Sequence, residues 1–69
     1  MTLTQYRNFL GWSQAELARK AGISYPTVSK AEEGQPINGR SAGLICKALS
    51  VGLGRQISIP DVEGWNVKV

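Results

Sequence analysis

Residues 13–24, SQAELARKAGIS, hold the start of one helix, its end and the start of another within twelve positions. Ser13 and Glu16 have the spacing of a capping box, in which the serine hydroxyl accepts from the amide at position 16 and the glutamate carboxylate accepts from the amide of Ser13. Trp12 and Leu17 occupy the two positions of a hydrophobic staple, which sets the angle at which the chain enters the helix. Leu17, Ala18 and Ala21 make one apolar stripe, and Gly22 follows where a left-handed residue closes a helix. The spacing predicts a helix of about two turns.

Ile23 stands just past that glycine, where an apolar side chain folds back on the helix it leaves, and Ser24 is placed to cap a third helix with Pro26 in its first turn. Val28 and Ala31 supply the inner face of this helix. Gly22, Ile23 and Ser24 leave a turn of three residues, the spacing of a helix-turn-helix whose axes cross at roughly 90–120°. Upstream, Thr2 to Leu10 carries Leu3, Tyr6 and Leu10 at three- and four-residue steps and stops at Gly11. Downstream, Gly34 ends the third helix, Gln35 to Gly39 reads as a loop, and Asn38 is placed to cap a fourth helix. Ala42, Ile45, Ala48 and Leu49 recur along it with helical spacing, Leu44 widens the apolar face, and the pattern runs to about Ser50.

Beyond Leu49 the pattern breaks at Gly52 and Gly54, and RQISIPDVEGWNVKV (residues 55–69) admits two readings. In the favoured one, Ser58 and Asp61 with Pro60 between them cap a single helical turn through Glu63, closed by Gly64 and followed by an extended tail. In the other, Gln56 to Ile59 and Asn66 to Val69 are short strands.

A chain of 69 residues has room for one domain with a compact core. Its 42% apolar and 19% charged residues are those of a folded rather than a disordered chain. With one cysteine and no histidine, an internal disulfide, the usual zinc spacings and a Cys-His catalytic pair are excluded, and a reducing, cytoplasmic setting is expected. Cys46 falls on the core-facing half of the fourth helix and reads as a small apolar residue. No apolar run reaches the roughly 18 residues of a membrane span, and the N-terminus lacks the layout of a signal peptide. The net charge of +3 and pI near 9.4 are compatible with a polyanionic partner without requiring one.

SQAELARKAGISYPTVSKAEEG (residues 13–34) resembles the helix-turn-helix of phage repressors and Cro, the Xre-like family of small transcription regulators. The likeness runs from about Arg7 through Leu49 and rests on Ser13-Gln14, Leu17-Ala18, Gly22-Ile23-Ser24, Val28 and Glu32-x-Gly34. It implies an all-α fold, a compact bundle of four or five helices, placed here at residues 1–55, with the short extended C-terminal tail read above left at 56–69. It further implies that the third helix enters the DNA major groove while the second lies across the backbone.

The resemblance also implies roles for individual residues. Tyr25, Pro26, Ser29 and Lys30 match the family's base-reading positions. Lys30 is the best placed for a direct contact, because an ammonium donates to the O6 and N7 acceptors of guanine. Gln14, in the first turn behind the Ser13 cap, matches a phosphate contact. Thr27 and Arg40 are expected to hold phosphates, and Ser41 joins them if the preceding loop lies against the DNA backbone. Arg19, Lys20 and Lys47 read as solvated helix faces adding long-range attraction. Arg7 and Glu32 fit the family's internal ion pair, a structural tie between the first helix and the end of the third. Pro26 departs from the polar residue often found there, and without Gln, Asn or Arg in the reading set no operator sequence can be written down.

These readings lead to a sequence-specific DNA-binding regulator, a repressor that occludes a promoter, without cofactor, metal or catalysis. A short recognition helix contacts few base pairs, so specificity calls for a homodimer on a palindromic operator, with the tail as the suspected dimer element and Trp65 in it either completing the core or joining the dimer contact. The alternative is an antitoxin-like or accessory DNA-binding subunit whose tail docks a protein partner. A helical adaptor that never touches DNA is a third reading, and an enzyme is disfavoured, since the acids Glu16, Glu32, Glu33, Asp61 and Glu63 offer little for an acid-base pair.

Overall fold

In the computed structural model, which describes residues 1–68, four α-helices follow one another: α1 (Leu3–Leu10), α2 (Gln14–Ala21), α3 (Tyr25–Glu32) and α4 (Gly39–Leu53). The predicted capping box opens α2: Glu16 N–H donates to Ser13 Oγ at 3.1 Å and Ser13 N–H to Glu16 Oε1 at 2.9 Å. Its close is as local. Gly22 at φ 73° donates to the Arg19 carbonyl and Ile23 to the Ala18 carbonyl, a pair of bonds that requires the left-handed backbone glycine adopts freely. A second capping box, Thr2 with Gln5, opens α1. Its Thr-x-x-Gln spacing is a local signal of the same kind as that of Ser13 and Glu16.

The apolar stripes meet in one core. Leu3, Leu17, Val28, Ile45 and Leu49 are fully enclosed, one or two from each helix. Small residues let the helices approach closely: Ala18 and Ala21 of α2 and Ala42 and Ala48 of α4 are buried among them. Cys46 is buried as expected. Burial, aided by the charge of Asp61, pushes its thiol up to about 11, so it is inert apolar filling.

Three segments depart from the sequence reading. Gln35 to Gly39 is no simple loop, because Pro36–Asn38 forms β1, which pairs in parallel with β2 (Asn66–Lys68): Pro36 lies opposite Asn66, Ile37 opposite Val67 and Asn38 opposite Lys68. No local pattern announces a pairing between segments so far apart in sequence. Between α4 and β2 the favoured short helical turn forms, as a 3-10 turn over Ile59–Asp61 that ends before Glu63. Ser58 N–H and hydroxyl both reach Asp61 Oδ2 at 2.9 Å, and these bonds hold the Asp61 carboxyl below its ordinary range. Strand β2 realises the C-terminal half of the alternative reading, whose last residue, Val69, lies outside the described residues. Trp65 is half-buried against the core and donates through Nε1 to the Ile59 carbonyl at 3.3 Å.

The fourth helix also continues past Ser50 to Leu53, through a glycine whose missing side chain is needed. A Cβ at position 52 would stand 2.6 Å from Trp12 Cη2 and 3.1 Å from Leu10 Cδ1, so the staple residue Trp12 lies directly on the backbone of α4. Alanine in a helix interior ordinarily gains about 1 kcal/mol over glycine. At Gly52 overpacking reverses the sign, and Gly52→Ala is expected to cost about 1 kcal/mol net. Thermal melting checks this; a raised midpoint would mean that the indole swings aside freely.

Candidate nucleic-acid interface

The outer face of α3 is open. Tyr25, Pro26 and Lys30 are exposed and Thr27 and Ser29 half-buried, while Val28 and Ala31 point inward and are enclosed. Tyr25 is 52% accessible, a large aromatic ring left to solvent at the helix start. Ser24 takes the extended backbone of a cap but makes no side-chain cap bond. Its hydroxyl instead bonds that of Thr27 at 2.8 Å. In the first turn of α3 the Thr27 and Val28 N–H groups donate to the Ser24 carbonyl and Pro26 has none, so the turn is closed by backbone bonds rather than by the Ser24 side chain.

Thr27, Arg40 and Ser41 come together. They line one cleft of about 290 Å³ with Ser24, Asn38 and Leu44, at the junction of the α2–α3 turn and the start of α4. Asn38 caps α4 as its position foretold, accepting from Ser41 N–H at 2.7 Å, and the exposed Arg40 stands in the first turn. Strand β1 ends at Asn38, so the sheet pairing braces the backbone that carries this cap.

Gln14 lies apart from that cleft. Its Nε2 donates to Glu32 Oε1 at 3.1 Å, tying the start of α2 to the end of α3. The Arg7–Glu32 pair forms through two parallel contacts, Nε to Oε2 and Nη2 to Oε1. Arg7 Nη1 also donates to the Trp12 carbonyl at 2.9 Å and Thr4 Oγ1 to Glu32 Oε1 at 2.9 Å. One carboxylate thus gathers α1, α2 and α3. Burial is the largest single influence on Glu32 and pushes its carboxyl up. The hydrogen bonds from Arg7, Gln14 and Thr4, with the charge of Arg7, outweigh it and hold the group below the ordinary carboxylate range. On Arg7 the bond to Glu32 dominates and raises the guanidinium further.

Glu33 had no role in the sequence reading, and the structure gives it neighbours. Ser29 Oγ donates to its Oε2 at 3.4 Å and Gln35 Nε2 to its Oε1 at 2.8 Å. The i, i+4 spacing of Ser29 and Glu33 was the available signal. Lys20 is likewise more than a solvated lysine, since its ammonium sits 5.0 Å from the Trp12 ring centroid, within cation–π range.

Two helices joined by a tight glycine turn, the second exposed along its polar flank and braced by a third and fourth, constitute a helix-turn-helix domain. The chain belongs to the Cro/Xre-type helix-turn-helix family, whose family model, described as "Helix-turn-helix", matches residues 3–56. It is therefore a DNA-binding transcription regulator, of a regulatory rather than an enzyme family. No curated protein and no solved structure matches the chain. Among the described residues, no helix is long and apolar enough to cross a membrane and no group of three or more His, Cys, Asp or Glu is gathered to hold a metal ion.

Proposed function

We propose that this protein represses transcription by binding a palindromic operator as a homodimer, with α3 of each copy in the major groove. The observation that carries this reading is the exposed flank of α3, backed by an enclosed Val28 and Ala31 and flanked by the Thr27–Arg40–Ser41 cleft. In it, Tyr25, Pro26, Ser29 and Lys30 read bases, and Gln14, Thr27, Arg40 and Ser41 hold phosphates. Glu32, neutralised by Arg7, presents no free negative charge to the DNA backbone.

A second copy is needed because one eight-residue helix reaches only a few base pairs. Ile57 and Val62 of the C-terminal segment are core residues, which leaves the outer edge of β2 and the exposed Phe9 as surfaces for the partner protomer. Selection of binding sites from random duplex DNA tests the whole reading, since a palindromic consensus is its signature and an asymmetric or absent consensus overturns it.

The individual roles separate under mutation. Lys30→Ala is expected to lose about 1–3 kcal/mol on the best operator and to relax preference at one position. Arg40→Ala is expected to weaken all duplexes alike and to make the slope of log affinity against log salt shallower by about 0.9. Fluorescence anisotropy on matched and scrambled duplexes reads both. A uniform loss for Lys30→Ala makes it a phosphate ligand, and an altered base preference for Arg40→Ala removes it from the backbone set.

A further inference from the structure

A groove of about 470 Å³ lies off the α3 face, between α2 and α4, walled by Trp12, Leu44, Ala48 and Val51 and flanked by Lys20 and Lys47. We infer that this groove is a binding site for a small organic carboxylate with an apolar, ring-bearing body. This inference is independent of how the protein reads DNA.

Three features favour that chemistry. The volume lies in the range of small-molecule sites, which combine a mainly apolar lining with a few polar groups that fix orientation. The floor is pre-formed, because Trp12 rests on the bare backbone at Gly52 and cannot sink further, and the Lys20 ammonium stands 5.0 Å from its ring centroid, so an aromatic surface and a cation are already held side by side. The only charged groups lining the groove are the two lysines. Among the described residues neither has a carboxylate within salt-bridge distance. Glu16, one turn before Lys20, is not free to serve, since its carboxylate is turned back to the amide of Ser13. Two lysine side chains beside an apolar wall complement one anion joined to an apolar body, and they disfavour an amine of the same shape. Val51, 79% accessible at the rim, is covered when such a body seats.

The test uses phenylbutyrate as the probe and phenylbutylamine, its cationic counterpart, as the control, each titrated into the full-length chain and followed by amide chemical shifts. The expected result is saturable shifts with phenylbutyrate, centred on residues 12, 20, 44, 47, 48 and 51, and none with the amine. The double variant K20Q/K47Q is expected to weaken the probe about tenfold or more, and K20R/K47R to retain it. Both lysines are exposed, so an unchanged melting midpoint shows that the variants fold. Equal binding of the amine, shifts scattered over the surface, or undiminished binding by K20Q/K47Q each overturns the inference.

Discussion

Arg7→Ala is expected to lower the stability of this domain by about 2–3 kcal/mol, somewhat less than the cost of removing one partner from a fully buried ion pair. The two side chains are 14% and 7% accessible, which sets them apart from surface pairs worth about 1 kcal/mol or less. Glu32 receives four donors, two from Arg7 and one each from Gln14 and Thr4. Without the guanidinium it keeps two neutral ones. A chain of this length has roughly 3–10 kcal/mol of stability in all, so the variant sits near the edge of folding. The double variant Arg7→Ala with Glu32→Gln is expected to recover part of the loss, because the charge that burial penalises is gone. Urea unfolding measures both, and a loss below about 1 kcal/mol for Arg7→Ala would show that water reaches the carboxylate.

The same pair sets a pH dependence with a definite sign. The Glu32 carboxyl lies lower in the folded than in the unfolded chain. Its contribution is therefore complete above the ordinary glutamate pKa of about 4.3 and is lost as pH falls through the lower folded-state value. Stability curves of the native chain and Arg7→Ala should converge on acidification and stay parallel at neutral pH.

Ending the chain at Gln56 is expected to abolish cooperative folding. The match to the family ends at that residue, yet the core does not. Ile57 and Val62 are 3% and 4% accessible, and losing a buried side chain of this size costs about 2–5 kcal/mol. The join is also hydrogen-bonded: Ile57 N–H donates to Ser50 Oγ at 2.8 Å, and that hydroxyl donates to the Cys46 carbonyl at 2.7 Å. Farther on, Glu63 N–H donates to the Met1 carbonyl at 3.0 Å, and β2 pairs with β1. The summed loss matches or exceeds the whole stability of a small domain. Circular dichroism of residues 1–56 against temperature reads it directly. A sigmoidal melt would make the last residues an appendage, whereas Ile57→Ala alone is expected to lower the midpoint and keep the transition cooperative. Any study of dimerisation through this segment must use point variants on its exposed side, since truncation removes the fold along with the contact.

The helices and the turn between α2 and α3 were legible because their signals are local. Ser13 with Glu16, Gly22 with Ile23, and Asn38 with Ser41 each act within five residues, and each bond formed where the spacing put it. The ion pair was legible only through the family resemblance, because nothing in composition joins Arg7 to a residue 25 positions later. Gln14 illustrates a different gap. Its place in the first turn of α2 was readable, but its bond to Glu32 depends on how α2 and α3 cross. Trp12 was legible as a staple, while its seat on Gly52 was not, since that contact is made by the far end of α4.

The sequence by itself determined four helix starts, the sharp α2–α3 corner and which residues α3 turns outward, because caps, glycine stops and a period of 3.6 residues act over one or two turns of chain. Only the tertiary structure decided that Pro36–Asn38 is a strand, that Ile57 and Val62 finish the core, and that Thr27, Arg40 and Ser41 share one cleft. Those outcomes depend on surfaces that do not exist until the helices have packed: a strand forms where a distant segment supplies its hydrogen bonds, and a residue is buried where a vacancy has its shape.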